Sequence, residues 1–233
     1  MIPISDDNPA RLRPIVTWGI ILACIAAFVW QLTFSESAEE TLLFAFGFVP
    51  RNLFDHRVMV SLLGVPWPWF TLITSMFLHG GFLHLGANML YLWIFGNNVE
   101  DAMGHGRYLP FYLACGIAAA LAEGVVNPHS AFPMIGASGA ISGVLAAYVL
   151  IYPRARITVI IPLGILLYPT KISAFYVVGF WFVLQILNGL LTAQGAAGTA
   201  WWAHVGGFAA GVVLTPFLSS FPLFGRYTRG PWG

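Results

Sequence analysis

Six apolar runs, at residues 14–34, 71–95, 107–126, 136–152, 173–192 and 201–219, decide what this chain can become. Each is long enough, or nearly so, to cross about 30 Å of hydrocarbon at 1.5 Å per residue. Only 8% of the residues are charged, against about 25% in soluble domains. The expected fold is therefore an all-α membrane protein with six transmembrane helices, arranged as a single domain over residues 1–233. The fourth run is short and glycine-rich. Such a helix can begin below the membrane surface where the preceding loop dips in under protein cover. The loop at 35–70 is the longest, and its Trp67 and Trp69 around Pro68 suit the interface. Residues 157–170 are apolar but broken by Pro162, Gly164 and Pro169, which suggests a re-entrant or surface-lying piece.

Basic residues set the orientation. With a cytoplasmic N-terminus, Arg11, Arg13, Arg107, Arg154, Arg156, Lys171, Arg226 and Arg229 lie inside, and Arg51 and Arg57 outside. That is 8 against 2 of the 10 Lys and Arg residues, as the positive-inside rule expects. Residues 1–13 are then a polar cytoplasmic N-terminus, the first run is a retained helix rather than a signal peptide, and 220–233 is a cytoplasmic tail. The formal charge of +1 argues against a nucleic-acid partner. Cys24 and Cys115 both fall in apolar runs and read as small buried hydrophobes, not as a disulfide or a metal site.

In this topology the second, fourth and sixth helices all run from outside to inside. His79, His84 and Asn88 come early in the second, Ser138 begins the fourth, and His204 begins the sixth. Three distant stretches thus carry polar residues to similar depth in the outer half of the bilayer, where polar groups need a functional reason. A serine hydroxyl is a weak nucleophile until a base takes its proton, and His204 is the candidate base. Gly207 and Gly211 share its helical face, while the fourth helix offers Gly136, Gly139 and Gly143. Small residues so spaced let membrane helices approach closely. The plainer alternative is that the glycines only pack helices and Ser138 bonds its own backbone.

His84 and Asn88, four apart on one face, could stabilise an oxyanion beside the Ser138 N–H, or could simply clamp two helices. His79 reads as a structural polar residue bonding loop backbone. Zinc-protease spacing is missing, because Gly80 follows His79 and Leu85 follows His84. The Gly-x-Ser-x-Gly elbow is missing too, since Ala140 stands two after Ser138. Glu123, Glu100 and Asp101 read as structural or topological, leaving a Ser138–His204 dyad with no metal and no cofactor. A transporter using His79, His84 and His204 as a proton relay would want more carboxylates at depth. A non-catalytic binder of membrane helices would have no use for the intact pair.

Together Gly136-Ala137-Ser138-Gly139, the His79…His84…Asn88 series and Ala203-His204-Val205-Gly206-Gly207 resemble the rhomboid family of intramembrane serine proteases, over about residues 45–215. Gly96-Asn97-Asn98-Val99-Glu100-Asp101 and Tyr152-Pro153-Arg154-Ala155-Arg156 look like its prokaryotic branch. The resemblance implies a six-helix bundle in the prokaryotic plasma membrane, with a water-filled cavity open to the outside. It also implies cleavage of other proteins' transmembrane segments within the lipid bilayer. Ser138 would be the nucleophile and His204 the base, with His84, Asn88 and the Ser138 N–H as oxyanion hole. The fifth helix and Thr192 to Ala200, including Gly195 and Gly198, would serve as gate and cap. Two positions depart from the family pattern. Arg57 follows His56 where many relatives have a Trp-Arg pair. Ser142 stands where many have an aromatic residue stacked on the catalytic histidine, so His204 must be oriented by something else.

Overall fold

The computed structural model describes residues 1–54, 68–164, 166–193 and 198–224. His56, Arg57, Trp67, Gly195, Arg226 and Arg229 lie outside the described residues. Among those described, the helices are α1 (Ile15–Gln31), α2 (Glu36–Phe46), α3 (Pro50–Phe54), α4 (Pro68–Thr74), α5 (Phe82–Met103), α6 (His105–Val126), α7 (Ser138–Ile151), α8 (Ala174–Leu191) and α9 (Trp201–Leu218). The strands are β1 (Ile2–Asp6), β2 (Arg156–Leu163) and β3 (Leu166–Ser173).

Three helices, α6, α8 and α9, are individually long and apolar enough to cross a membrane. A fourth span is reached if α4, its following 3-10 turn and α5 count as one element bent by 83°. α1 and α7 are apolar but shorter, at 17 and 14 residues. The outer faces reverse the soluble pattern. Leu191, Phe217, Leu190, Leu22 and Val213 are all exposed, and a soluble helix would turn such residues inward.

The run at 71–95 is not one helix. It stops at Phe77 and restarts at Phe82. Gly81 takes a φ of +147°, a region open to glycine and strained for residues with a Cβ. His79 consequently sits in the break, not early on a helix with His84 and Asn88. The all-α expectation also needs correction. Residues 156–173 form an antiparallel hairpin, and β1 adds to it in the order β1-β2-β3. The β-branched series Ile157-Thr158-Val159-Ile160-Ile161 favours strand. Pro169 lies on the outer strand β3, and Pro162 lies beyond the stretch of β2 that β1 covers. Both are places where a missing N–H does no harm. Within the loop at 35–70, α2 and α3 add helical segments.

α9 sits between α6 and α7, and glycine is what lets it in. A Cβ on Gly206 would strike Ala122 of α6, one on Gly207 the Gly139 carbonyl of α7, and one on Gly211 the Gly143 carbonyl. Such backbone-to-backbone contact is how membrane helices gain packing energy without a hydrophobic drive. Tyr108, Phe111, Tyr112, Phe95 and Tyr148 fill the space among α5, α6 and α7 and are fully buried.

The carboxylates near the C-terminal end of α5 fasten the N-terminal segment. Glu100 accepts from the N–H groups of Val16 and Thr17 at 2.9 and 2.8 Å, and from the Thr17 hydroxyl at 2.7 Å. These amides open α1 and have no carbonyl of their own helix to bond. Asp101 accepts from Arg11 N and Leu12 N.

Candidate active site

Ser138 is the first residue of α7, and the loop before it is tied down. Phe48 and Met134 exchange backbone hydrogen bonds of 3.0 and 2.7 Å, and Gly136 N donates to Ser75 O at 2.8 Å. Gly136 has a φ of +118°, and a Cβ there would meet the His84 imidazole at 2.7 Å. Glycine at 136 therefore serves both the turn and the close seating of His84. At the head of α7 the Ser138 N–H has no helical acceptor four residues back, so it is a donor available to a ligand.

His204 lies in the first turn of α9 and is 8% exposed. Its Nε2 is 2.8 Å from Ser138 Oγ. The α7–α9 glycine contacts described above produce this approach, because they bring the two backbones together one turn further along. The start of α9 is held from α6. Glu123 accepts from Ala203 N at 3.1 Å and from Asn127 Nδ2 at 2.6 Å, a carboxylate at the positive end of a helix dipole.

His84 and Asn88 approach from the first two turns of α5. Gly80 N donates to His84 Nδ1 at 3.3 Å, which leaves Nε2 facing Gly136. Asn88 Nδ2 donates to His84 O at 2.9 Å, and the amide retains a second N–H. Ser138, His204, His84 and Asn88 all line one cavity of about 740 Å³, walled also by Trp181, Tyr91, Ile135 and Thr199. His79 does not line it. Its ring Nδ1 sits 3.2 Å from Phe77 O, and its backbone N–H and C=O are both bonded by the Gln31 amide of α1. Structure thus brings four of the five singled-out residues together and gives the fifth a loop-bracing position.

Ser142 is fully buried and donates to Ser138 O at 2.6 Å, so it does not reach His204. The residues that do were not singled out in the sequence. Trp181 lies 5.8 Å from the His204 ring at a tilt of 37°, and Trp201 6.1 Å away edge-on. Gln185 Oε1 is 2.7 Å from His204 Nδ1. The available signal was a polar amide in the middle of an apolar run, four residues after a tryptophan. Among the described residues no group of three His, Cys, Asp or Glu side chains is placed to hold a metal ion. Cys24 and Cys115 are free and buried.

A helical integral membrane protein with a part-buried serine–histidine contact at the wall of a largely apolar cavity is a narrow class. The sequence pattern of the rhomboid domain matches residues 66–221, and the chain belongs to the rhomboid family. It is 36% identical over 136 residues to the rhomboid protease GluP of Bacillus subtilis, covering 58% of this chain and 24% of that protein. It is 29% identical over 164 residues to the chloroplastic rhomboid-like protein 11 of Arabidopsis thaliana, covering 66% and 54%. With the rhomboid protease AarA of Providencia stuartii it shares 27% identity over 231 residues, covering 91% and 76%. The chain thus spans about a quarter of GluP's length and about half that of the Arabidopsis protein.

Proposed function

We propose that the protein is an intramembrane serine endopeptidase that cuts transmembrane segments of other membrane proteins. The observation carrying this reading is the 2.8 Å contact between Ser138 Oγ and His204 Nε2 at the wall of a cavity inside an apolar bundle. His204 Nε2 takes the hydroxyl proton as Oγ adds to the scissile carbonyl. The developing oxyanion is stabilised by the Ser138 N–H together with His84 and Asn88. His204 then returns the proton to the departing amine, leaving an acyl-enzyme on Ser138. Water, activated by the same imidazole, releases the acid and restores the serine. His79 serves structure only.

The reading includes six spans in one domain, with both termini in the cytoplasm of a prokaryotic cell and the cavity open to the opposite side. Beside the basic-residue bias, the sheet supports this arrangement. β1 precedes α1, while β2 and β3 lie between α7 and α8. Their pairing puts both on one side of the membrane, which requires an even number of crossings between them. Four crossings, by α1, the α4–α5 element, α6 and α7, satisfy that.

The test is labelling of the purified protein with a fluorophosphonate, alongside cleavage of a transmembrane substrate in proteoliposomes. The modification should map to Ser138, and Ser138→Ala should lose both labelling and cleavage while keeping its thermal stability. Undiminished cleavage by Ser138→Ala would refute the proposal.

A further inference from the structure

We infer that Gln185 is a positioning residue that fixes the tautomer of His204, doing with a neutral amide what a carboxylate does in a soluble triad. This rests on the Ser138–His204 reading and supplies what that reading lacks, a reason for the imidazole to face the serine with the correct nitrogen free. Gln185 is on α8 and 5% exposed. It forms no part of the cavity wall, so it acts through His204 and not on substrate.

The hydrogen bonds dictate its orientation. Gln185 Nε2 donates to Trp181 O at 2.9 Å. A carbonyl only accepts, so the amide nitrogen must face it and the amide oxygen must face His204. Oε1 in turn only accepts. The 2.7 Å contact therefore puts the proton on His204 Nδ1. A neutral imidazole protonated at Nδ1 has its lone pair at Nε2, the atom 2.8 Å from Ser138 Oγ. Turning the amide over would set two acceptors against each other at Trp181 and leave Nε2 of His204 carrying the proton. That tautomer cannot take a proton from serine. The chain Trp181 C=O, Gln185 amide, His204 imidazole, Ser138 hydroxyl thus has one consistent direction, and its origin is an α8 backbone carbonyl that cannot reverse.

The amide also suits lipid. A buried carboxylate would carry a large desolvation cost whenever His204 is neutral. Gln185 accepts the same hydrogen bond uncharged. With Ser142 on α7 in place of an aromatic residue, α8 supplies both the ring neighbour, Trp181, and the acceptor. Two contacts from one helix face, four residues apart, then hold the base.

The experiment is ¹⁵N NMR of histidine-labelled full-length protein in detergent at neutral pH, with His204 assigned by substitution. The wild type is expected to show His204 protonated at Nδ1. Gln185→Met, similar in volume but without an acceptor, should move the signal toward the Nε2-protonated form and reduce turnover about 10–100-fold, by analogy with partners that orient metal-bound imidazoles. Gln185→Glu restores an acceptor and should turn over faster than Gln185→Met. A wild type protonated at Nε2, or a Gln185→Met protein with an unchanged tautomer, would overturn the inference. Apart from the assignment variant, the wild-type measurement needs no Gln185 variant to fold, and the tautomer is read without proteolysis. Failure of the protease reading would appear instead as cleavage by Ser138→Ala.

Discussion

Replacing Gly207 with alanine adds one carbon at the closest approach of α7 and α9. That carbon would overlap the Gly139 carbonyl oxygen, lie 2.9 Å from its carbon, and lie 3.3 Å from Ala119 Cβ. Carbon atoms rest at about 3.5–4.0 Å, and neither α7's backbone nor a β-carbon can rotate aside. α9 must therefore retreat by more than about 0.6 Å at this turn, because the overlapping oxygen demands more than the carbon does. Gly207 is one turn from His204, so the 2.8 Å contact with Ser138 stretches toward the limit of a useful hydrogen bond. A misplacement of about 1 Å near reacting groups costs roughly 10²-fold in rate, and overpacking costs about 1–3 kcal/mol of stability. Gly207→Ala should therefore insert and fold, unfold at lower temperature, and cleave a transmembrane substrate about 10²-fold more slowly. The control is Gly179→Ala on α8, where a Cβ meets nothing within 4 Å, and activity should be unchanged. Cleavage, labelling by fluorophosphonate and thermal unfolding are measured on the same preparations. Wild-type turnover in Gly207→Ala would mean the α7–α9 contact does not set the serine–histidine distance.

Asn88→Ala should lower kcat by about 10²–10³ with little change in KM, because an oxyanion donor acts in the transition state; steady-state kinetics showing KM rising at constant kcat would reassign Asn88 to substrate contact. Activity should persist after dialysis against EDTA or 1,10-phenanthroline, since the histidines lack metal-ligand spacing, and loss of turnover restored by zinc would contradict this. Asp6 accepts from Tyr148 Oη at 2.6 Å and Asn98 Nδ2 at 3.0 Å, and burial pushes its carboxyl from 3.8 up to about 6. Between those values the folded chain holds a proton that the unfolded chain has released. The stability it contributes is full below about pH 4 and is lost as pH rises through about 6, a swing of at most about 3 kcal/mol. Asp6→Asn should flatten that slope in thermal unfolding curves, and parallel curves for the two proteins would refute it.

Four polar residues lining the cavity could be read from the sequence because each stands out against lipid. Ser138, His204, His84 and Asn88 are polar groups in apolar helices, brought to one depth by counting spans. Gln185 is likewise a polar group in an apolar run but belongs to no motif and was not singled out in the sequence, and only the fold reveals that α8 turns it toward His204. The break before α5 was written in Gly80-Gly81, yet the apolar pattern continues through it, so hydropathy alone ran the helix on. The hairpin was hidden differently. Pro162, Gly164 and Pro169 read as breaks in a re-entrant or surface-lying piece, whereas the two prolines lie where a strand has an unpaired side and Gly164, with a φ of +63°, lies at the turn. Which segment would pair with β2 was beyond local pattern, because Ile2 meets Ile160 across most of the chain.

That pairing also sets a timetable. A ribosome adding about 5–20 residues per second makes β2 roughly 8–30 s after β1. Throughout the interval the β1 segment, carrying Ile2 and Ile4, lacks its native partner, and unpaired strand edges invite the wrong one. Asp6 cannot find Asn98 or Tyr148 until α5 and α7 have been delivered. Closure of the sheet is thus a late event, and under the proposed topology a chain with one crossing missed would strand β1 and β2 on opposite faces of the bilayer. In the proposed topology the three short strands join a segment made before α1 to one made only after four crossings, so their pairing depends on correct insertion.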